Sequence, residues 1–270
     1  MSADRLWLRE TFDGVAELYD RARPDYPDRL LDDLAELARL RPDAAILEIG
    51  PGTGQLTLPL ARRGFGILGV ELGENLATVA RRKLAAYPEV GIVTAPFETW
   101  DPGGASFDLV IAATCWHWLD PELRCGKAAD VLRVGGALAV VGGGHVVPEG
   151  GDPFFIEIQD VYDSIGESLP DGRLPRPGER ADQREELEGS GLFAEVEVRR
   201  YLCEHVYTAE QYIDLLETFS GHRAIEKAGR ELLYRAIRER IARRPDPVVR
   251  YHTDLVLTVA RLGGTAASAR

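Results

Sequence analysis

AAILEIGPGTGQLTLPLARRGFGILGVE, residues 44–71, decides the fold. A short apolar run (Ala45, Ile46, Leu47, Ile49) leads into a glycine turn, then an amphipathic segment, then a second apolar run that ends in one acid. This order predicts a strand, a tight loop, a helix and a parallel strand. In such a unit the loop lies at the carboxyl edge of the sheet, and the helix N-terminus points its free N–H groups at whatever binds there. Gly50, Gly52 and Gly54 let the backbone turn sharply and approach a ligand closely. Glu71 closes the second strand beside that loop, where its two oxygens can accept both hydroxyls of a ribose. A nucleoside site is the expectation.

The glycine spacing narrows the nucleoside. The loop reads E-x-G-x-G-x-G from Glu48 to Gly54, whereas the dinucleotide fingerprint G-x-G-x-x-G requires a glycine where Gln55 stands. A nicotinamide dinucleotide is therefore disfavoured, and no triphosphate-binding G-x-x-x-x-G-K-[ST] loop occurs. ILEIGPGTG (46–54) followed by GVELGENLATVARRKL (69–84) resembles the first two motifs of class I S-adenosylmethionine-dependent methyltransferases. The resemblance implies that the loop around Glu48, Gly50, Gly52 and Gly54 packs against the methionine part of the cofactor. It also implies that Glu71, with Leu72 beside it, holds the ribose.

Composition narrows the partners. With 45% hydrophobic and 28% charged residues, the 270-residue chain can bury a sizeable core. A formal net charge of -12 argues against a phosphate backbone as partner, so nucleic acid is not the expected acceptor. Cys115, Cys125 and Cys203 are odd in number and lack C-x-x-C spacing, which suggests neither a disulfide framework nor a metal site. No apolar run reaches the length of a membrane span or a signal peptide. A cytoplasmic monomer or homodimer without a membrane partner is expected.

Outside the central unit the chain reads in order. Residues 5–20 and 28–40 predict two helices, the second with Leu30, Leu31, Leu34 and Leu37 on one face. Pro24 and Pro27 break the stretch between them. That stretch, YDRARPDYPD, is similar to the entry segment of the trans-aconitate methyltransferase-like branch of the family. The similarity implies Tyr19 over the methionine end of the cofactor and Arg23 near its carboxylate; Tyr19 and Tyr26 can equally well serve only to pack the helices. The helix from Gln55 to Arg63 contains Pro59, which suggests a kink or a short first turn. Arg81, Arg82 and Lys83 read as a solvated face. VGIVT (90–94) is the third strand, and the APFETW that follows resembles the branch at Phe97 and Glu98, implying a contact of the Phe97 N–H with adenine; Pro96 stands where the branch has an acid.

FDLVIAATCWHW (107–118) supplies the fourth strand and a turn of Thr114, Cys115, Trp116, His117 and Trp118 that should border the reacting methyl group, and the resemblance extends over it. Asp120 is expected to cap a helix beginning at Pro121, ahead of a fifth strand in GGALAVVGG. The whole predicts an α/β fold with a Rossmann-like, doubly wound sheet of seven strands, the last antiparallel as the resemblance implies, with N-terminal helices and a helical cap between strands six and seven. The divisions are a lid at 1–43, a cofactor-binding core at 44–207 with a lid loop at about 143–182, a cap at 208–247, and a final strand and tail at 248–270. The arginine-rich end of the cap, 230–244, reads as a solvated face or an oligomer contact.

The expected function is methyl transfer from S-adenosylmethionine, leaving S-adenosylhomocysteine, to oxygen, nitrogen or carbon of a small molecule. Thr114 joins the cofactor set. His117 is the candidate general base, or else a wedge between Trp116 and Trp118 that shapes the pocket. Trp116, His145, Tyr212 and His222 are candidates for the acceptor site. No metal set is apparent, because no paired ligands accompany the histidines. The alternative is a noncatalytic protein of the same fold that binds the cofactor or its product.

Overall fold

In the computed structural model, which describes residues 12–169 and 172–263, the central unit forms as the sequence predicts. β1 (Ala45–Ile49) lies parallel to β2 (Gly66–Glu71) and to β4 (Phe107–Ala113), with Ile49 level with both Val70 and Ala112. The three strands therefore end together, and the residues that follow each are brought side by side. The seven-stranded sheet has the order β3-β2-β1-β4-β5-β7-β6. β3 (Val90–Thr94) flanks β2, and β5 (Leu132–Val146) flanks β4. β7 (Val248–Leu262) runs antiparallel between β5 and β6 (Phe193–Thr208). Order reverses direction at β1 and β4, which is where a doubly wound sheet opens a crevice.

Alternation along the strands assigns residues to two core layers. Ile46, Ile67, Leu109 and Ile111 pack on one face with Leu30, Leu31 and Leu34 of α2 (Asp28–Leu37) and with Leu60 of α3 (Thr57–Arg62). Leu47, Val70, Val110 and Ala112 pack on the other with Trp116 and with Cys125 and Ala128 of α5 (Arg124–Asp130). Because α3 begins at Thr57, Pro59 falls in its first turn, where the missing N–H has no intrahelical acceptor to lose, and the expected kink is unnecessary. The helix after Asp120 starts at Arg124 instead of Pro121: Asp120 caps a preceding turn by accepting the Glu122 N–H at 3.0 Å.

The basic residues read as a solvated face are exposed at Arg81 and Arg82, and they also make specific pairs. On α4 (Glu74–Lys83), Arg82 forms a two-pronged pair with Glu17 at 2.8 and 2.9 Å, and Lys83 meets Asp20 at 2.8 Å, so both hold α1 (Ala16–Ala22) down. Asp13 completes the clamp, one oxygen accepting the N–H groups of Asn75 and Leu76 at 2.8 and 3.0 Å. The part of the expected first helix before residue 12, and the tail from 264 on, lie outside the described residues.

β5 runs further than expected. It continues from Val141, level with Ala113, to Val146, a rise of about 16 Å past the end of β4 at ordinary strand spacing. Residues 143–146 of the expected lid loop are thus strand, because β7 supplies their hydrogen-bond partners. Together β5, β7 and β6 make a wall above the crevice. The cap, α9 (Ala209–Leu216), α10 (Ser220–Ala224) and α11 (Lys227–Ala242), packs with α6 (Phe154–Glu157) and α7 (Gln159–Ser164) into a separate apolar cluster. α9 starts at a capping box formed by Thr208 and Gln211.

Arginines of the cap also make specific pairs. Arg238 meets Glu210 at 2.7 Å, Arg240 meets Asp160 at 2.7 Å, and Arg244 grips Asp152 at 2.8 and 2.9 Å. Asp152 is buried and also accepts the Phe154 and Arg250 N–H groups. Burial opposes its ionisation, but Arg244 and the two N–H groups outweigh that and hold its pKa below the usual range. Replacing Asp152 with alanine leaves these donors facing nothing, and the expected loss is on the order of 3 kcal/mol in a denaturant titration; a change below about 0.5 kcal/mol contradicts the assigned role.

Candidate active site

A cavity of about 650 Å³ opens over the shared ends of β1, β2 and β4. That is within the range for a ligand of cofactor size. Its floor is the glycine loop. Gly50 and Gly52 have φ of +62° and +59°, the left-handed region that favours glycine. A Cβ on Gly50 would stand 3.0 Å from the Cys115 sulfur, so this position closes against the turn after β4. Gly54 does not line the cavity; a Cβ there would make only ordinary contact with Leu84 at 3.4 Å, so its φ of +88° is what calls for glycine.

Glu71 is 5% exposed and ties two loops together. One carboxylate oxygen accepts the Gly52 N–H at 2.8 Å and the other the Gly73 N–H at 2.9 Å. Burial raises its pKa, against the opposing pull of these N–H groups. Each oxygen keeps a further lone pair for a ligand donor. Leu72 and Phe97 line the same end of the cavity.

Two buried polar atoms on the cavity wall have no partner among the described residues. One is Glu48 Oε2, in a side chain 1% exposed at the end of β1. Burial pushes the Glu48 carboxyl up to about 7. The other is Nε of Arg23, whose Nη2 donates to the Thr218 carbonyl at 2.7 Å and whose guanidinium lies over the rings of Tyr19 and Phe219 at 4.8 and 4.3 Å. One unpartnered carboxylate oxygen and one unpartnered guanidinium N–H on the same cavity suit a ligand that carries both an ammonium and a carboxylate.

Thr114 lines the cavity in a left-handed conformation, φ +56°, which is costly for a β-branched residue. Its amide donates to the Val141 carbonyl at 2.7 Å. The turn that follows puts His117 and Trp118 on the cavity wall with their rings 4.7 Å apart.

Of the residues expected from sequence, Tyr19, Arg23, Glu48, Gly50, Gly52, Glu71, Leu72, Phe97, Thr114 and His117 are brought together on this cavity. Four are not. Trp116 turns into the core under the sheet, where its indole N–H donates to Glu186 at 3.2 Å. Tyr212 is buried in the cap cluster. His222 hydrogen-bonds to the Tyr162 hydroxyl at 2.8 Å, and burial pushes its pKa down to about 4. His145 stands one layer behind, stacked on Tyr251 at 4.4 Å, with burial pushing it down to about 3. In their place the wall offers Tyr251, Thr253 and Leu255 of β7, His205 of β6, and Phe219 and Ser220 of the cap. The period-two alternation along β7 would have placed its three on one face.

Among the described residues no group of three or more His, Cys, Asp or Glu side chains could hold a metal ion. The raised Glu48 makes a pH prediction. Between about pH 5 and pH 7 the folded carboxyl keeps a proton that the unfolded one has lost, so its contribution favours folding at the acid end and fades as pH rises through about 7. The thermal midpoint of the cofactor-free native protein should therefore fall relative to that of Glu48→Gln across this window. A difference that stays constant with pH removes the assignment.

Residues 46–136 match a family described as a methyltransferase domain. An uncharacterized methyltransferase of Mycobacterium tuberculosis is 33% identical over 141 residues, 52% of this chain and 55% of the relative. An rRNA adenine N-6-methyltransferase of Saccharopolyspora erythraea is 38% identical over 97 residues, 34% of this chain and 26% of the relative. The match thus spans about half the length of the mycobacterial relative and about a quarter of the other. Among solved structures, a provisionally named type II methyltransferase of Anaeromyxobacter dehalogenans superposes with a TM-score of 0.59 at 24% identity, over 88% of this chain and 97% of that one. Phosphoethanolamine N-methyltransferase 2 of Haemonchus contortus, in complex with S-adenosyl-L-methionine, gives 0.56 at 16% identity, over 97% and 60%. With strand order, glycine loop and family match in agreement, residues 46–136 are a methyltransferase domain and the chain has the class I S-adenosylmethionine-dependent methyltransferase fold.

Proposed function

We propose that this protein transfers a methyl group from S-adenosylmethionine to a small molecule. The observation that carries the reading is the pair of unpartnered buried groups, Glu48 and Arg23, facing one cavity with Glu71 at its other end. Glu71 accepts the ribose hydroxyls, Glu48 the ammonium and Arg23 the carboxylate of the methionine part, with Leu72 and Phe97 against the adenine. When bound, the cofactor supplies an activated methyl group on a sulfonium, so the protein has chiefly to align the acceptor and keep water out. Tyr19 and Arg23 cover the methionine end. Thr114 lines the same cavity, and His117 receives the acceptor's proton where the acceptor is a hydroxyl.

A small acceptor is supported by the net charge of -12 and by the wall that β5, β7 and β6 raise beside the crevice. The rRNA methyltransferase relative matches over 97 residues, 34% of this chain, and so says nothing of the acceptor used by the rest. A noncatalytic binder is less well supported, because the cavity extends past the cofactor groups to Tyr251, Thr253 and His205. Among the described residues no helix is long and apolar enough to cross a membrane, and none of the three cysteines is joined in a disulfide, which fits work in the cytoplasm.

Calorimetric titration with S-adenosylmethionine and S-adenosylhomocysteine tests the reading. Both should bind the native protein, and Glu71→Ala should weaken them about tenfold or more, the cost of a charge-assisted hydrogen-bond pair. Binding of a nicotinamide dinucleotide in place of both overturns it.

A further inference from the structure

Resting on that reading, we propose that the acceptor is a planar, uncharged aromatic molecule bearing hydroxyl groups, one of which receives the methyl. The argument begins with charge. Among the described residues lining the cavity, Arg23 is the one cation, and the proposed function commits it to the cofactor's carboxylate. The acids are Asp13, Asp25, Glu48, Glu71 and Glu74. Asp13 is spent on the N-terminus of α4, Glu74 pairs with Arg81 at 3.0 Å, and Glu48 and Glu71 belong to the cofactor. Asp25 is exposed to solvent. The acceptor's part of the cavity is left with no charged side chain on its lining; the Arg180 guanidinium stands behind Gly144 and donates to the His145 carbonyl, so an ionic acceptor would meet no counter-ion on the lining itself, which disfavours it.

The shape and polarity of the remaining lining then select the molecule. Rings arrive from four elements: Tyr26 from the lid, Trp118 from the turn after β4, Phe219 from the cap and Tyr251 from β7. At Gly143 and Gly144 the wall is bare backbone. A Cβ on Gly143 would stand 2.1 Å from Asp254 O, and one on Gly144 would stand 3.2 Å from the Arg180 guanidinium. Rings beside a bare strand favour a flat aromatic body by stacking and apolar burial.

The polar groups are all neutral hydrogen-bonding ones: Ser220, Thr253, and His205, whose Nε2 lies 3.3 Å from Thr253 Oγ1. Burial holds His205 below its usual pKa and Tyr26 and Tyr251 above theirs, so all three are uncharged near neutral pH. Such a set pairs with hydroxyl or carbonyl groups. In the transfer the hydroxyl oxygen forms the new bond to carbon, and the carbon–sulfur bond breaks with its electrons staying on sulfur. The hydroxyl proton leaves to the His117 imidazole.

The test titrates protein saturated with S-adenosylhomocysteine with umbelliferone and quercetin as planar phenols, citrate as a carboxylate and tyramine as an aromatic amine. The same probes are incubated with S-adenosylmethionine and followed by mass spectrometry. At least one phenol should bind and gain one methyl on oxygen, and citrate and tyramine should do neither. Thr253→Val and Trp118→Leu should each weaken that phenol about tenfold, with S-adenosylhomocysteine affinity held within about twofold. The proposal is overturned if S-adenosylhomocysteine binds but neither phenol does, if citrate or tyramine binds instead, or if both variants bind the phenol as the native protein does. Failure of S-adenosylhomocysteine itself to bind overturns the methyltransferase reading.

Discussion

A buried carboxylate at the end of β2 is the interaction on which the cofactor end of the site depends. Glu71 reaches back to the Gly52 N–H in one loop and forward to the Gly73 N–H in the next. Two backbone segments, at Gly52 and Gly73, are thereby set at one distance from each other, and the left-handed glycines hold the shape that this spacing allows. The arrangement has a cost, since burial works against the charge. It is offset by N–H groups that would otherwise also be buried without acceptors.

The second constraint is the unequal length of the strands. β1, β2 and β4 stop together, whereas β5, β7 and β6 continue, because an antiparallel partner on both sides of β7 satisfies their backbone groups well past the crevice. One half of the sheet therefore forms a floor and the other half a wall. The wall needs cover, and the cap supplies it through the cluster around Phe154, Tyr212, Leu233 and Tyr251. Charged pairs between distant segments then hold lid and cap in place: Glu17 with Arg82 on one side, Asp152 with Arg244 on the other.

What the sequence made legible is what neighbours in sequence decide. Strand, turn, helix and strand over 44–71 follow from apolar period and glycine placement within a few residues of each other, and the parallel pairing follows from the crossover. Hence the fold, the glycine loop and the place of Glu71 were all readable in advance. Of the two readings of Pro59, a kink or a short first turn, the second holds, because the helix starts two residues later than the pattern suggested.

The acceptor end belonged to tertiary structure. Whether Trp116 or Trp118 faces the cavity is settled by the short turn after β4, which sends Trp116 under the sheet to Glu186, seventy positions away. Whether His145 touches a ligand or stands behind Tyr251 depends on which strand pairs with β5 and how far. Likewise the partners of Arg82 in α4 and Arg240 in α11 were not legible, because their acids lie on other elements. A period-two or period-3.6 pattern reports that a face is buried. It does not report what lies across from that face, and the chemistry of a pocket made by many elements is a matter of what lies across.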